Sequence, residues 1–217
     1  MDTAIAREAL TLGVLAGGQG TRLGGCAKAW IVRDGMTQVE RLVRRFDRDV
    51  AHVLVSANRD AVRFASLGLT VVADRVPDQG PLGGLEALAA ACTTPWLLTV
   101  PVDLVFVNDC LVSTLSSAGE TGASVEDEDG PQPLVALWNV ATLRTALRSE
   151  AAVIPAKAAV IPAEAVVIPA KAGIHDLSVQ GLQSRLHMPR IRLPGVRLGN
   201  LNTFDDLANA GARLPDA

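Results

Sequence analysis

Residues 12–28 read LGVLAGGQGTRLGGCAK, an aliphatic run of five residues that stops at Gly17 and passes into a loop carrying five glycines in nine positions. A short apolar run bounded by glycine is the pattern of a buried strand. Glycines beyond it let the backbone come close to a ligand and turn several amide groups toward an anion. Two familiar glycine loops are excluded. A dinucleotide fingerprint starting at Gly18 needs glycine where Leu23 stands, and a P-loop starting at Gly20 needs lysine where Cys26 stands. On these residues alone, a phosphate cradle and a purely structural glycine turn both remain open.

Outward from this stretch, aliphatic runs recur at 51–57, 69–73 and 96–101, each bounded by Gly, Pro, Asn or Asp. Helical patterns lie between them, at 38–47, 60–66 and 82–91. Strand, helix, strand in repetition predicts right-handed crossovers and an α/β fold, a single Rossmann-like three-layer domain with a mostly parallel sheet. Ligands in such folds bind outside the carboxyl ends of the strands, so the residues just after each strand are the candidates. After the first strand stands Lys28. After the fourth stands Asp103, where a carboxylate suits Mg²⁺, which takes one or two carboxylates plus substrate phosphates. After the third comes 74–85, in which Gly80-Pro81-Leu82-Gly83-Gly84 leads directly into a helix. Read singly, Asp103 is also compatible with a turn residue and 74–85 with an ordinary loop.

The chain has 217 residues, 49% of them hydrophobic but only 3% aromatic, and a net charge of -3. This is enough to build an aliphatic core without staples, and it lacks the basic field that nucleic acid or an anionic membrane would require. Cys26, Cys92 and Cys110 are odd in number and match neither a zinc site nor a redox pair, so free thiols in a reducing compartment are expected. Asp2 and the absence of an early basic region argue against a secretory signal, and a cytoplasmic location is expected. His52, His175 and His187 show no metal spacing.

Of 20 basic residues only three are lysines, Lys28, Lys157 and Lys171, and the last two lie in a repeat. That repeat, Val153-Ile154-Pro155-Ala156, Val160-Ile161-Pro162-Ala163 and Val167-Ile168-Pro169-Ala170, has a period of seven. A proline in every heptad excludes a coiled coil, at about 3 kcal/mol each. The charges and prolines within it also make a poor membrane span. The stretch 151–175 is therefore expected to be a low-complexity insertion, extended or loosely ordered, within a single domain covering 1–217. Outside it Lys28 stands alone, and a compact ammonium suits a phosphate better than a planar guanidinium.

Together these motifs resemble the nucleotidyltransferases of the sugar-nucleotide type, and among them the molybdenum cofactor guanylyltransferases. The resemblance runs through Leu15-Ala16-Gly17-Gly18, Arg22-Leu23-Gly24-Gly25, Lys28, Ser56-Ala57-Asn58-Arg59, Asp74, Gly80-Pro81-Leu82-Gly83-Gly84, Pro101-Val102-Asp103, Gln132-Pro133-Leu134-Val135-Ala136-Leu137 and Asn200-Leu201-Asn202-Thr203. It implies transfer of GMP from GTP to molybdopterin, with release of pyrophosphate and dependence on Mg²⁺. It also implies that Leu15, Ala16, Gly17 and Gly18 meet GTP through backbone. Lys28 and Arg22 would serve the phosphates, Ser56 and Asp74 the guanosine, and Asp103 the metal. Asn200 and Asn202 would lie toward the acceptor. A monomer is expected, with GTP, molybdopterin and molybdoenzyme maturation proteins as partners, and with neither nucleic acid nor membrane among them.

This chemistry needs positioning and cationic donors rather than a nucleophilic side chain. Four features depart from the resemblance: Ala27 where the family usually has Asp, Ser56 where it often has Asn, Val105 where proline is common, and the insertion after Glu150. Two alternatives stay open. One is a related transferase using CTP or a sugar phosphate, against whose cytidylyl branch Gly18 speaks. The other is an inactivated relative that still binds nucleotide.

Overall fold

The computed structural model describes residues 5–18, 21–76, 79–107, 109–117, 119–153 and 178–215. Gln19 and Gly20 of the glycine loop, His175 and the repeat from residue 154 onward lie outside the described residues.

The expected parallel strands are present as β1 (Leu10–Leu15), β4 (His52–Ser56), β5 (Thr70–Val72) and β6 (Trp96–Pro101). β1 lies between β4 and β6 and is parallel to both, and β4 is parallel to β5. The expected helices are α1 (Gln38–Phe46), α2 (Ala61–Ser66) and α3 (Pro81–Ala91). The chain winds outward from β1 through β4 to β5, then returns to β6 on the other side of β1. That reversal is a topological switch point, where a crevice opens at the carboxyl edge of the sheet.

β1 shows how the layers form. Leu10, Leu12 and Val14 are fully buried among the residues that pack with Phe46 of α1 and Phe64 of α2. Gly13 points the other way, and a Cβ on it would lie 2.9 Å from Leu88 of α3. Alternation along the strand therefore serves one helical layer on each face. α1 begins with a capping box between Thr37 and Glu40, and the Thr37 hydroxyl and backbone amide hold the Glu40 carboxyl below its usual range.

The sheet has seven strands in the order β5-β4-β1-β6-β8-β7-β9, with the later strands not anticipated from the sequence. β7 (Gly122–Asp127) and β8 (Gly130–Asn139) form a hairpin, β8 runs antiparallel to β6, and β9 (Arg190–Arg192) is parallel to β7. Pro131 and Pro133 interrupt the β8 sequence and a bulge falls between Ser124 and Val125, which together hide the strand pattern. A second sheet of β10 (Ala212–Arg213), β2 (Val32–Arg33) and β3 (Met36–Thr37) is built on an Asp34-Gly35 turn with both residues at positive φ. Further helices are α4 (Leu111–Ser116), α5 (Val140–Val153), which runs three residues into the 151–175 stretch, and α6 (Val179–Arg185). A last helix, α7 (Phe204–Asn209), precedes β10.

The β7–β8 turn anchors the chain that returns to the site. Asp127 is 2% exposed. Its carboxylate accepts the Leu198 backbone N–H at 2.9 Å, the Gln132 amide at 3.1 Å and the Asp129 N–H at 3.0 Å. Burial alone would push this carboxyl up, but the hydrogen bonds outweigh it and hold the group below its usual range. A carboxyl depressed in the folded state contributes stability in full above the ordinary aspartate range, and that contribution is lost as the pH falls through its lowered native value. Asp127→Asn should therefore cost about 2 kcal/mol at about pH 7 in urea unfolding, and much less at about pH 2.5. An equal loss at both pH values would refute this account of the anchor.

Candidate functional site

Three segments far apart in sequence meet at the carboxyl edge of the sheet. Lys28 opens a short 3-10 turn, Lys28–Trp30, whose Ala29 and Trp30 are buried. Trp30 is held by its indole N–H on Asp60 Oδ2 at 2.8 Å and by stacking on Phe64 at 4.6 Å between centroids. With its neighbours anchored in the core, Lys28 projects from a rigid base. Its Nζ donates to Asp103 Oδ2 at 2.7 Å and to Asn202 Oδ1 at 2.5 Å. The Lys28 and Asp103 side chains are only 15% and 17% exposed, so this pair is far less screened than a surface ion pair.

Each partner is itself positioned. Asp103 lies just beyond β6, and its carbonyl accepts the Leu201 N–H at 2.9 Å. The chain at 198–201 runs against 104–106, with the Val105 N–H on the Gly199 carbonyl at 3.2 Å, the Phe106 N–H on the Leu198 carbonyl at 2.9 Å, and Leu104 bridged to Asn200. Asn202 is then locked by Asp206, whose Oδ2 accepts the backbone N–H of Asn202 at 2.9 Å and of Thr203 at 2.8 Å. The Asn202 N–H, with the Thr203 groups and the Lys28 charge, holds the Asp206 carboxyl below its usual range. Thr203 and Asp206 form a capping box on α7, a pattern readable as Thr-x-x-Asp in the sequence.

On the other side of β1, Ser56 ends β4 and Asp74 follows β5. Ser56 Oγ lies 3.4 Å from Asp74 Oδ1, and Asn58 Nδ2 donates to Asp74 Oδ2 at 3.0 Å. Helix α3 packs closely behind them, since a Cβ on Gly84 would lie 2.6 Å from Ser56 Oγ and 2.9 Å from Leu15 Cδ2.

Between these two groups lies a cleft of about 620 Å³, and its wall includes Leu15, Gly17, Gly18, Lys28, Ser56, Asp74 and Asp103. Seven residues singled out from the sequence thus share one cavity. Ala16 instead lines a recess of about 100 Å³ beside it. Arg22 is exposed and off the cleft wall, Asn200 is engaged with Leu104, and Asn202 reaches the site through Lys28. Sequence reasoning left Asn58 and Asp206 without a role, although both belong to the hydrogen-bonded framework of the site.

The glycine loop divides into two kinds of position. Gly24 and Gly25 have φ of 68° and 81°, which side chains rarely adopt, so the turn itself calls for glycine there. Gly17 and Gly18 lie outside the positive-φ set, and a Cβ on either would meet nothing within 4 Å. The fold leaves room for side chains at these two, which lie on the cleft wall.

Among the described residues no group of three or more His, Cys, Asp and Glu is gathered for a metal. One carboxylate at a strand end does suit a cation that retains water and binds substrate phosphates, and Asp103 Oδ1 has no hydrogen-bond partner among the described residues. Cys26, beside the loop, has its thiol pushed up by burial, with the nearby Arg63 charge opposing this more weakly, so it stays a protonated thiol.

Residues 12–161 match the MobA-like NTP transferase domain family. The chain belongs to this family. A Ralstonia nicotianae protein named molybdenum cofactor guanylyltransferase is 43% identical over 52% of this chain and 56% of its own length. One of the same name from Cupriavidus necator is 37% identical over 64% of this chain and 75% of its own. The chain thus spans little more than half of the first relative and three quarters of the second. Among solved structures, molybdopterin-guanine dinucleotide biosynthesis protein A from Archaeoglobus fulgidus has the same fold, with a TM-score of 0.60 at 19% identity, covering 92% of this chain and 96% of that one. The nucleotidyltransferase-type α/β fold expected from the sequence is thereby established.

The close approach of α3 gives a direct test. Gly84→Ala should force Ser56 away from Asp74 or push α3 outward, lengthening the 3.4 Å contact by several tenths of an ångström in a crystal structure of the variant. An unmoved Ser56 beside an ordered methyl group at this position would show that the packing is looser than described.

Proposed function

We propose that the chain transfers GMP from GTP to molybdopterin, with release of pyrophosphate. The observation that carries this reading is the cleft at the switch point, which has the Lys28 ammonium and the Asp103 carboxylate on one wall and Ser56 and Asp74 on the other. Three inter-strand spacings separate β5 from β6, roughly 14 Å, which suits a nucleoside lying across β4 and β1 with its phosphates toward β6. The names carried by the family relatives support the choice of GTP and molybdopterin.

In this reading Leu15, Ala16, Gly17 and Gly18 pass their backbone along the nucleotide. Glycine at 17 and 18 then answers to the ligand rather than to the fold, since among the described residues no packing contact would meet a side chain there. A terminal phosphate oxygen of molybdopterin attacks the α-phosphorus of GTP, the new P–O bond forms as the bond to the bridging oxygen breaks, and pyrophosphate leaves. Lys28 lies in the cleft to neutralise charge growing on the phosphate oxygens, and its rigid base limits reorganisation as it does so. Arg22, exposed on the same loop, would approach the triphosphate from outside the cleft wall. Asn202 keeps Lys28 aimed, and Asn200 belongs to the strap leading to the acceptor side.

Asp103, with Oδ1 open, would hold Mg²⁺ together with the substrate phosphates. When bound, the ion supplies further neutralisation of the triphosphate. The Lys28–Asp103 contact keeps both groups in place before substrate arrives, and Lys28 would turn to phosphate oxygens if Asp103 held the ion.

The deciding assay supplies GTP, Mg²⁺ and molybdopterin and looks for the guanine dinucleotide; a CTP adduct formed in preference would overturn the reading. Lys28→Ala should lower turnover about 10²-fold or more with the fold retained by circular dichroism. Near-normal turnover would remove Lys28 from the chemistry.

The 151–175 stretch belongs to this reading as an insertion within a single nucleotidyltransferase domain. Helices α5 and α6, which flank it, both contribute to the same apolar cluster through Leu143, Val179 and Leu182. Long insertions cost little in loop-closure entropy. Replacing 154–175 by a short Gly-Ser linker should shift the melting temperature by no more than about 3 °C and leave turnover intact or raised. Loss of folding would show that the stretch is part of the domain.

A further inference from the structure

Asp74 is the carboxylate that faces the cleft on the β4–β5 side, and its setting is more constrained than that of an ordinary loop aspartate. Asn58 grips it twice: its Nδ2 donates to Asp74 Oδ2 at 3.0 Å, and its Oδ1 accepts the Asp74 backbone N–H at 2.9 Å. One planar amide thus ties the backbone and the side chain of the same residue together. Chemistry dictates the orientation of the amide, because the flipped form would set oxygen against oxygen and N–H against N–H. From behind, α3 limits any retreat, since a Cβ on Gly83 would lie 3.3 Å from Asp74 Oδ2. The carboxylate, whose Oδ1 also lies 3.4 Å from the Ser56 hydroxyl, is consequently held in one orientation on the wall of the cleft.

A fixed carboxylate only accepts hydrogen bonds, so it selects a ligand edge rich in donors. Among the nucleobases, guanine alone presents two adjacent donors, the ring N1–H and the 2-amino group. Adenine and cytosine set a donor beside an acceptor, which would place a lone pair against the carboxylate. A polar site built for a donor pair discriminates strongly against analogues lacking one, because its own acceptor is then left unpaired.

We infer that Asn58 is the positioning residue for base selectivity: it holds the Asp74 carboxylate in the orientation that meets both guanine donors at once. This rests on the proposal that the cleft binds GTP with its base toward Asp74. Asn58 is itself exposed and belongs to none of the apolar clusters, so its two bonds to Asp74 serve the site rather than the core.

The test compares GTP with ITP, which lacks the 2-amino group, and with CTP, using the full chain with Mg²⁺ and molybdopterin. Steady-state turnover and equilibrium nucleotide binding are both measured. Wild type should favour GTP over ITP by about tenfold or more. In Asn58→Ala that ratio should fall at least about fivefold, carried by KM, while kcat at saturating GTP stays within about threefold and the melting temperature is unchanged. Asn58→Asp, which sets carboxylate against carboxylate, should lower the ratio further. If both variants weaken GTP and ITP by the same factor, Asn58 is merely structural and the inference is overturned while the GTP reading stands. A wild type that favours neither GTP over CTP nor GTP over ITP overturns the GTP reading, and this inference with it.

Discussion

The site is organised around one ammonium group shared by two acceptors. Lys28 is bonded to Asp103, 75 positions away, and to Asn202, 174 positions away. Because the ion pair is largely removed from solvent, losing Asp103 would leave the ammonium charge poorly compensated, a heavier loss than for a surface pair. Much of the remaining architecture brings these three side chains to one point. Trp30 and Phe64 anchor the lysine turn, β6 delivers Asp103, and the strap from 195 to 202 delivers Asn202.

The strap in turn depends on polar contacts at both ends. At its start, the 127–129 turn captures it through the Leu198 N–H on Asp127, the Gly195 N–H on Glu128 at 2.9 Å and Arg197 on Asp129 at 2.5 Å. At its finish, Asp206 takes two successive backbone amides. A segment with only short β pairing of its own is thereby placed as firmly as a strand, by carboxylates that accept backbone N–H groups.

The half of the molecule nearest the glycine loop was legible in the sequence, and the half beyond β6 was not. Strands β1, β4, β5 and β6 are short aliphatic runs closed by Gly, Pro, Asn or Asp, and parallel burial on both faces writes itself directly into such runs. β8 carries two prolines and β2, β3 and β10 have two residues each, too short for any periodicity. For the site, Lys28 stood out by the rarity of lysine, and Asp103 by its place after a strand. Asn58 did not stand out, because its importance lies in its bonds to Asp74, 16 positions on, which leave no mark in local sequence. The Asp34-Gly35 hairpin and the Thr203-x-x-Asp206 cap, by contrast, are local signals readable in the sequence.

The distance along the chain between Lys28 and Asn202 also sets the order of events during synthesis. Of the two acceptors Asp103 is synthesised long before Asn202, so in a nascent chain that carries only the first of them nothing yet occupies the second acceptor position on the ammonium. Only when residues 198–206 leave the ribosome do the strap and the α7 cap close over the pair. Premature termination between β9 and residue 202 would therefore yield a product with the strands of its main sheet and an incompletely held Lys28. Residues 198–206 act as the clasp of a site whose other polar side chains lie between residues 15 and 103.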